Sequence, residues 1–260
     1  MSTFLFDDIV FGPVKSRRLG VSLGLNLLPV KRKICNFNCI YCECGWTGNI
    51  EKALSHLPGR REIYDALELK LLVMKTENKS PDVITFAGNG EPTLHPEFPG
   101  IIDDSISLRD RYFPDAKIAV LSNATTIQKP VIKAALLKVD KNILKLDSAI
   151  DSTIKILNQP RININVEDLI KNLTLFNGKL IIQTLFIRGT HKGLIIDNTT
   201  SEEINAWLKA LERIKPAEVM IYTISRDTPE GWQLKKVPVR ELNGIAALVE
   251  SMGIKTQVSG

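Results

Sequence analysis

The chain has 260 residues, 44% of them hydrophobic and 24% charged, and 34 lysines and arginines against 29 acids leave a formal net charge of +5. That content supports a sizeable core and excludes a disordered chain or a small disulfide scaffold. The mild basic excess permits an anionic partner without indicating one. No apolar run reaches the ~18 residues of a membrane span, and residues 1–10 lack a basic stretch before an apolar core. A cytoplasmic protein without membrane attachment is expected.

In chain order, residues 21–28 read as a first β-strand. Lys15, Arg17 and Arg18 precede it, and Lys31, Arg32 and Lys33 follow it. Both basic runs read first as solvated surface, with attraction of an anionic substrate as the functional alternative. Helical periodicity covers 62–75, part of 98–112, 130–138, 166–176 and 201–214. Strand patterns at 83–87, 117–121, 143–147, 180–187 and 219–224 alternate with these helices, and a helix at 239–251 and a strand at 254–258 complete the series. Ser201 reads as a helix cap followed by acids, Pro130 suits a first helical position, and Gly178 reads as a helix stop. The alternation implies βαβ units and a parallel sheet. No linker or internal repeat divides residues 1–260, so one domain is expected. Periodicity alone leaves an open doubly wound sheet and a barrel equally admissible.

All four cysteines lie between positions 35 and 44. Cys35, Cys39 and Cys42 stand in the run Cys-Asn-Phe-Asn-Cys-Ile-Tyr-Cys, with three residues and then two between them. Thiolates are the usual ligands of iron–sulfur clusters, and a cubane of four irons normally takes four. Three in one loop would leave an iron open for chemistry, as catalytic metal sites keep a position open. A structural zinc site would require a second pair well downstream, which the chain lacks. Inert buried thiols are the other alternative.

This loop resembles the signature of the radical S-adenosylmethionine enzymes. The resemblance extends to residues 12–24, to Phe86-Ala-Gly-Asn-Gly-Glu-Pro-Thr-Leu-His-Pro, to Leu157-Asn-Gln-Pro and to Ile182-Gln-Thr-Leu-Phe. The chain is similar to a branch of Fe-S oxidoreductases near the radical domain of the wybutosine-synthesising tRNA enzymes. It implies an α/β fold, a partial (β/α)6 TIM-like barrel with the cysteine loop after the first strand and the site at the C-terminal ends of the strands. It also implies a 4Fe-4S cluster on Cys35, Cys39 and Cys42, with S-adenosyl-L-methionine chelating the open iron. Cys44 is extra to the pattern.

The same resemblance assigns cofactor-binding roles. Tyr41 is expected against the adenine. Gly88, Asn89, Gly90 and Glu91 stand where many relatives have Gly-Gly-Glu, and are expected to receive the amino group; their structural alternative is a turn. Ser122 and Asn123 end the third strand, where the ribose or carboxylate would bind, or where a polar terminus needs no further role. Lys145 and Asp147 share a strand face and are expected at the carboxylate and ribose. Gln183 shares a face with Ile181 and Leu185, so if buried it needs partners. Residues 158–160, Arg188 and residues 197–199 are placed in loops on the same side.

The implied reaction is reductive cleavage of S-adenosylmethionine to a 5′-deoxyadenosyl radical that abstracts a substrate hydrogen. The electron comes from a flavodoxin or ferredoxin-type donor, and the substrate is a tRNA, a protein or a metabolite. No cysteine lies outside 35–44, so the second all-cysteine cluster of the wybutosine enzymes is excluded. Two alternatives are a glycyl-radical activase acting on a protein partner, and a non-enzymatic Fe-S carrier or sensor with Cys44 as fourth ligand.

Overall fold

The computed structural model describes residues 4–48 and 57–260. Its main sheet has eight strands. Strands β1 (Val10–Ser16) and β2 (Gly20–Leu25) form an antiparallel hairpin at one edge. The sheet then continues in parallel through β3 (Val83–Phe86), β4 (Lys117–Ser122), β5 (Lys141–Lys145), β6 (Ile181–Leu185), β9 (Glu218–Tyr222) and β11 (Lys255–Ser259). A small second sheet is built from β7 (Ile187–His191), β8 (Leu194–Asp197) and β10 (Leu234–Lys236). The curled parallel sheet is the partial barrel expected, and all seven strands read from the sequence lie in it.

Each crossover carries a helix whose apolar residues recur at helical spacing. In α1 (Arg60–Thr76) they are Ile63, Leu67, Leu71 and Met74. Further along come α2 (Phe98–Tyr112), α3 (Pro130–Leu136), α4 (Asp151–Leu157), α5 (Val166–Thr174), α6 (Ser201–Ile214) and α7 (Val239–Glu250). In α6 the buried face is Ile204, Trp207, Leu211 and Ile214, and its cap is Thr200, one residue before the expected Ser201, with the Thr200 hydroxyl accepting from Glu203 N. These faces cover outward residues of the sheet such as Leu23, Ile84, Phe86 and Val120 in one continuous core. Inside the curl lies a smaller apolar floor of Val83, Ala119, Ile143, Ile181 and Met220.

Strands β1, β7, β8 and β10 and helix α4 were not anticipated. Pro13 with its neighbouring bulge marks β1 as an edge strand, the position at which a missing ladder donor is tolerated. The β7–β8 hairpin turns at Lys192 and Gly193, both at positive φ, so Arg188 and Asp197 sit in paired strands rather than loops. Helix α4 is too short to show a period.

The hairpin turn does more than end an edge. Arg17 Nη1 donates to Gly260 O at 2.5 Å, and Gln257 Nε2 donates to Arg18 O at 3.1 Å. The first hairpin and the last strand, opposite edges of the sheet, therefore meet across the open side of the barrel.

Candidate functional site

The cysteine loop leaves the C-terminal end of β2 and is held by backbone bonds from distant segments. Ile34 N donates to Asn89 O and Glu91 N to Ile34 O, both at 2.9 Å. Downstream, Asn38 N donates to Asn158 O at 2.9 Å, Ile40 N to Leu157 O at 3.0 Å and Arg161 N to Asn36 O at 2.9 Å. Gly90, at φ +137, lies so close to the loop that a Cβ there would stand 1.7 Å from Ile34 O. At Gly88 a Cβ would stand 2.4 Å from Asn26 Oδ1. These glycines let the loop dock onto the strand end.

Asn89 is fully buried and works outward. Its side chain accepts from Phe6 N and donates to Phe6 O, both at 2.9 Å, and to Pro29 O at 3.0 Å, so it clamps the N-terminal arm and the loop. Glu91 is 2% exposed, and protein donors surround its carboxylate. Oε1 accepts from Thr93 N (3.1 Å), Thr93 Oγ1 (2.6 Å) and Ser122 Oγ (2.9 Å), and Oε2 accepts from Asn123 N at 2.6 Å. Burial pushes its pKa up against these donors. Ser122 and Asn123 are thus joined to Glu91 rather than independent of it.

Asn123 also reaches the cysteines. Its Nδ2 donates to Asn36 Oδ1 at 2.7 Å and lies 3.5 Å from Cys35 Sγ, and Asn158 Nδ2 lies 3.3 Å from Cys39 Sγ. Lys33, read in the sequence as solvated surface, is 5% exposed and donates to Gly45 O at 2.8 Å. Its burial penalty is outweighed by Cys42, Cys35 and Cys39, and its pKa lies above the ordinary value. A hydrogen bond from Cys44, helped by Lys33, holds the Cys42 thiol down to about 5, whereas burial pushes Cys35 up to about 12. Cys44 Sγ lies 3.5 Å from Gly88 O.

Across the mouth, Tyr41, Lys145, Asp147 and Asn158 form one buried network. Tyr41 Oη donates to Asp147 Oδ2, while Lys145 Nζ donates to Tyr41 Oη at 2.6 Å and stands 3.3 Å from Asp147 Oδ2. Asn158 Nδ2 donates to Asp147 Oδ2 at 2.7 Å, and Leu185 N to Asp147 Oδ1 at 3.0 Å. Burial works against the Lys145 ammonium, but Asp147 and its other neighbours outweigh it and raise its pKa. Gln183 Oε1 accepts from Arg18 Nη1 at 3.2 Å, and the Arg18 guanidinium lies 4.4 Å from the centre of the Tyr222 ring.

Sequence reasoning missed Asn36 and Tyr222 and placed Arg18 and Lys33 outside. Asn36 had a signal, its position beside Cys35. The others had none, because burial of a charge is decided by distant packing. Arg188 and residues 197–199 instead support the small sheet, where Arg188 pairs with Asp197 at 3.1 Å and with Glu241 at 2.7 Å.

The donor set suits a thiolate-ligated cluster: four free thiols in one loop, a buried ammonium beside them and amide donors on two sulfurs. As the side chains stand, no three His, Cys, Asp or Glu residues among those described are gathered as a metal-holding group. The fit therefore rests on the chemistry of the donors and the anchoring of their loop.

Residues 32–189 match the model of the Radical SAM superfamily, and the chain belongs to that superfamily. It is 30% identical to a UPF0026 protein of Helicobacter pylori over 90% of this chain and 71% of that one. It is 31% identical to a protein of Brachyspira hyodysenteriae named GTPase Obg, over 84% of this chain but only 30% of the relative's length. Among solved structures, a radical SAM methyltransferase from Sphaerobacter thermophilus superposes with a TM-score of 0.67 at 14% identity, over 92% of this chain and 65% of that one. SuiB of Streptococcus suis bound to S-adenosylmethionine superposes with a TM-score of 0.58 at 14% identity, over 91% and 46%. Superfamily membership implies an enzyme with a 4Fe-4S cluster, S-adenosylmethionine and a reductant. No helix among the described residues is long and apolar enough to cross a membrane.

Proposed function

We propose that this chain is a radical enzyme in which Cys35, Cys39 and Cys42 hold a 4Fe-4S cluster beside a site for S-adenosyl-L-methionine. When bound, the pair supplies one-electron chemistry that ends in hydrogen abstraction from a substrate. The observation that carries the reading is the three-thiol loop stapled to Gly90 at the C-terminal end of a parallel sheet, with amides of Asn123 and Asn158 against two sulfurs.

The protein's own residues divide the work. Glu91, already filled by four protein donors, positions the strand ends, and Gly88 O and Asn89 O already accept from Gly90 N and Ile34 N, so the cofactor's ammonium falls to Gly90 O, which accepts from no backbone N–H among the described residues. Lys145, kept charged by Asp147, is the cation for the cofactor's carboxylate. Tyr41 and Asn158 hold that pair in place, and Gln183 and Tyr222 face the substrate side. The apolar floor within the curl keeps water from the reacting atoms. A flavodoxin or ferredoxin-type protein is the proposed electron donor. The substrate proposed is a tRNA, supported by the basic residues on the open side of the barrel.

The test is anaerobic reconstitution with iron and sulfide, reduction, addition of S-adenosylmethionine and chromatographic quantification of 5′-deoxyadenosine. It should form with the parent chain and vanish with Cys39→Ala. Cleavage retained by Cys39→Ala would overturn the ligand assignment.

A further inference from the structure

Between the two edges of the sheet lies a cavity of about 950 Å³, bounded by the β1–β2 hairpin, the inward residues Ser22 and Thr85, and the loop carrying Arg226. Its size is at the upper end of ligand pockets, roughly 300–1,000 Å³. Lys15, Arg17 and Arg18 line it; Arg17 is taken up by Gly260 O, and among the described residues neither Lys15 nor Arg18 has an Asp or Glu side chain within ion-pair distance. Arg226 is already paired with Glu43 at 2.8 Å.

Arg18 differs from its neighbours. The seam contact through its carbonyl fixes its backbone, and its guanidinium is oriented by Gln183 and stacked on Tyr222. One Arg18 nitrogen is used by Gln183, and no other guanidinium hydrogen bond is made to the described protein. A half-buried guanidinium, fixed in direction and lacking a counter-ion, is a receptor for an oxyanion. The same cavity is lined by Phe4, Phe6 and Phe11, with Phe6 stacked on Phe11 at 3.6 Å and Phe4 set edge-on to Phe6 at 4.8 Å. Phe4 is 50% exposed and leaves apolar surface uncovered.

We infer that this cavity is the substrate site and takes a nucleotide unit, its phosphate on Arg18 and its base on the phenylalanine wall. Guanidinium for phosphate and aromatic ring for base is how proteins hold unpaired nucleotides. The inference rests on the radical-enzyme reading, for which it names the unit of the substrate that is held and the residues that hold it.

The test is calorimetric titration of the anaerobically reconstituted chain, saturated with S-adenosylmethionine, with adenosine and uridine 5′-monophosphates. The parent nucleosides, a single-stranded RNA dodecamer and a glutamate-rich dodecapeptide are run alongside. Nucleotides should bind where nucleosides do not, and Arg18→Gln should weaken binding at least about tenfold through loss of a charge-assisted bond. Arg18→Lys should fall between, because an ammonium lacks the planar fork. Tighter binding of the RNA with the same Arg18 dependence assigns an RNA nucleotide, and equal affinity assigns a free one.

Displacement of nucleotide by S-adenosylmethionine, preference for the peptide, or an unchanged affinity in a folded Arg18→Gln variant would each overturn the inference. Should that variant not fold, the comparison of nucleotide with nucleoside on the parent chain decides. Binding is read without turnover, so absence of 5′-deoxyadenosine would count against the radical reading alone, and absence of nucleotide binding with cleavage intact would count against this inference alone.

Discussion

Replacing Gly90 by alanine tests whether the glycine motif exists to seat the cysteine loop. The new Cβ would stand 1.7 Å from Ile34 O and 2.5 Å from Ile34 C, both backbone atoms, so the loop itself must move. Moving it breaks the bonds Ile34 N to Asn89 O and Glu91 N to Ile34 O, at about 1 kcal/mol each. The φ of +137 adds about 1–3 kcal/mol for a residue with a Cβ. A loss of about 3–5 kcal/mol lowers the melting temperature of a chain this size by on the order of 10 °C. Circular dichroism of the apoprotein reads that shift, and visible absorbance after reconstitution reads how much cluster the loop still holds. Gly244→Ala is the control with opposite sign. It lies in α7 with nothing within 4 Å of its added Cβ, and should gain about 1 kcal/mol. A Gly90→Ala chain that melts with the parent and loads a full complement of iron would refute the argument.

Glu91→Gln keeps the shape but turns an amide N–H toward the N–H of Asn123 or the donors on Oε1. It should cost about 1–3 kcal/mol, seen as a lower denaturation midpoint; no loss would mean the carboxylate is protonated or unneeded. Asp140 accepts from Ile118 N at 2.8 Å and pairs with Arg109 at 2.9 Å, and these outweigh its burial to hold its pKa below the usual carboxylate range. Its stabilisation is therefore present above pH ~4 and lost as pH falls through the depressed value. Asp140→Asn should melt lower than the parent at neutral pH, with the gap closing in acid. Cys44→Ala should leave the reconstituted cluster's iron content unchanged; loss of the cluster would favour four protein thiolates and the carrier reading.

The parallel strands and covering helices were legible because each is a short apolar run between helical periods, and a βα repeat has few ways to fold. The cysteine loop was legible from spacing. Lys33 and Arg18 were not, since a cation inside and a cation in solvent have the same letters around them, and only docking across the barrel separates them. Glu91 shows a subtler difference. Its place in the chain was found, but not its donors at Thr93, Ser122 and Asn123, which tie the carboxylate to the neighbouring strand end. The Asn89 that departs from Gly-Gly-Glu holds Phe6 and Pro29, contacts that no local pattern records.

The staples of the cysteine loop also set an order of assembly. Its backbone is held by residues 88–91 on one side and 157–161 on the other, so residues 35–42 have no fixed shape until the βα units from β3 to α4 have formed and packed. Loop closure of that span must be met before those bonds return anything. The thiols belong to one of the earliest segments of the chain, yet their backbone waits on partners as far along as Arg161. Iron delivered to a finished barrel meets a shaped site, whereas iron delivered sooner meets three loose thiols.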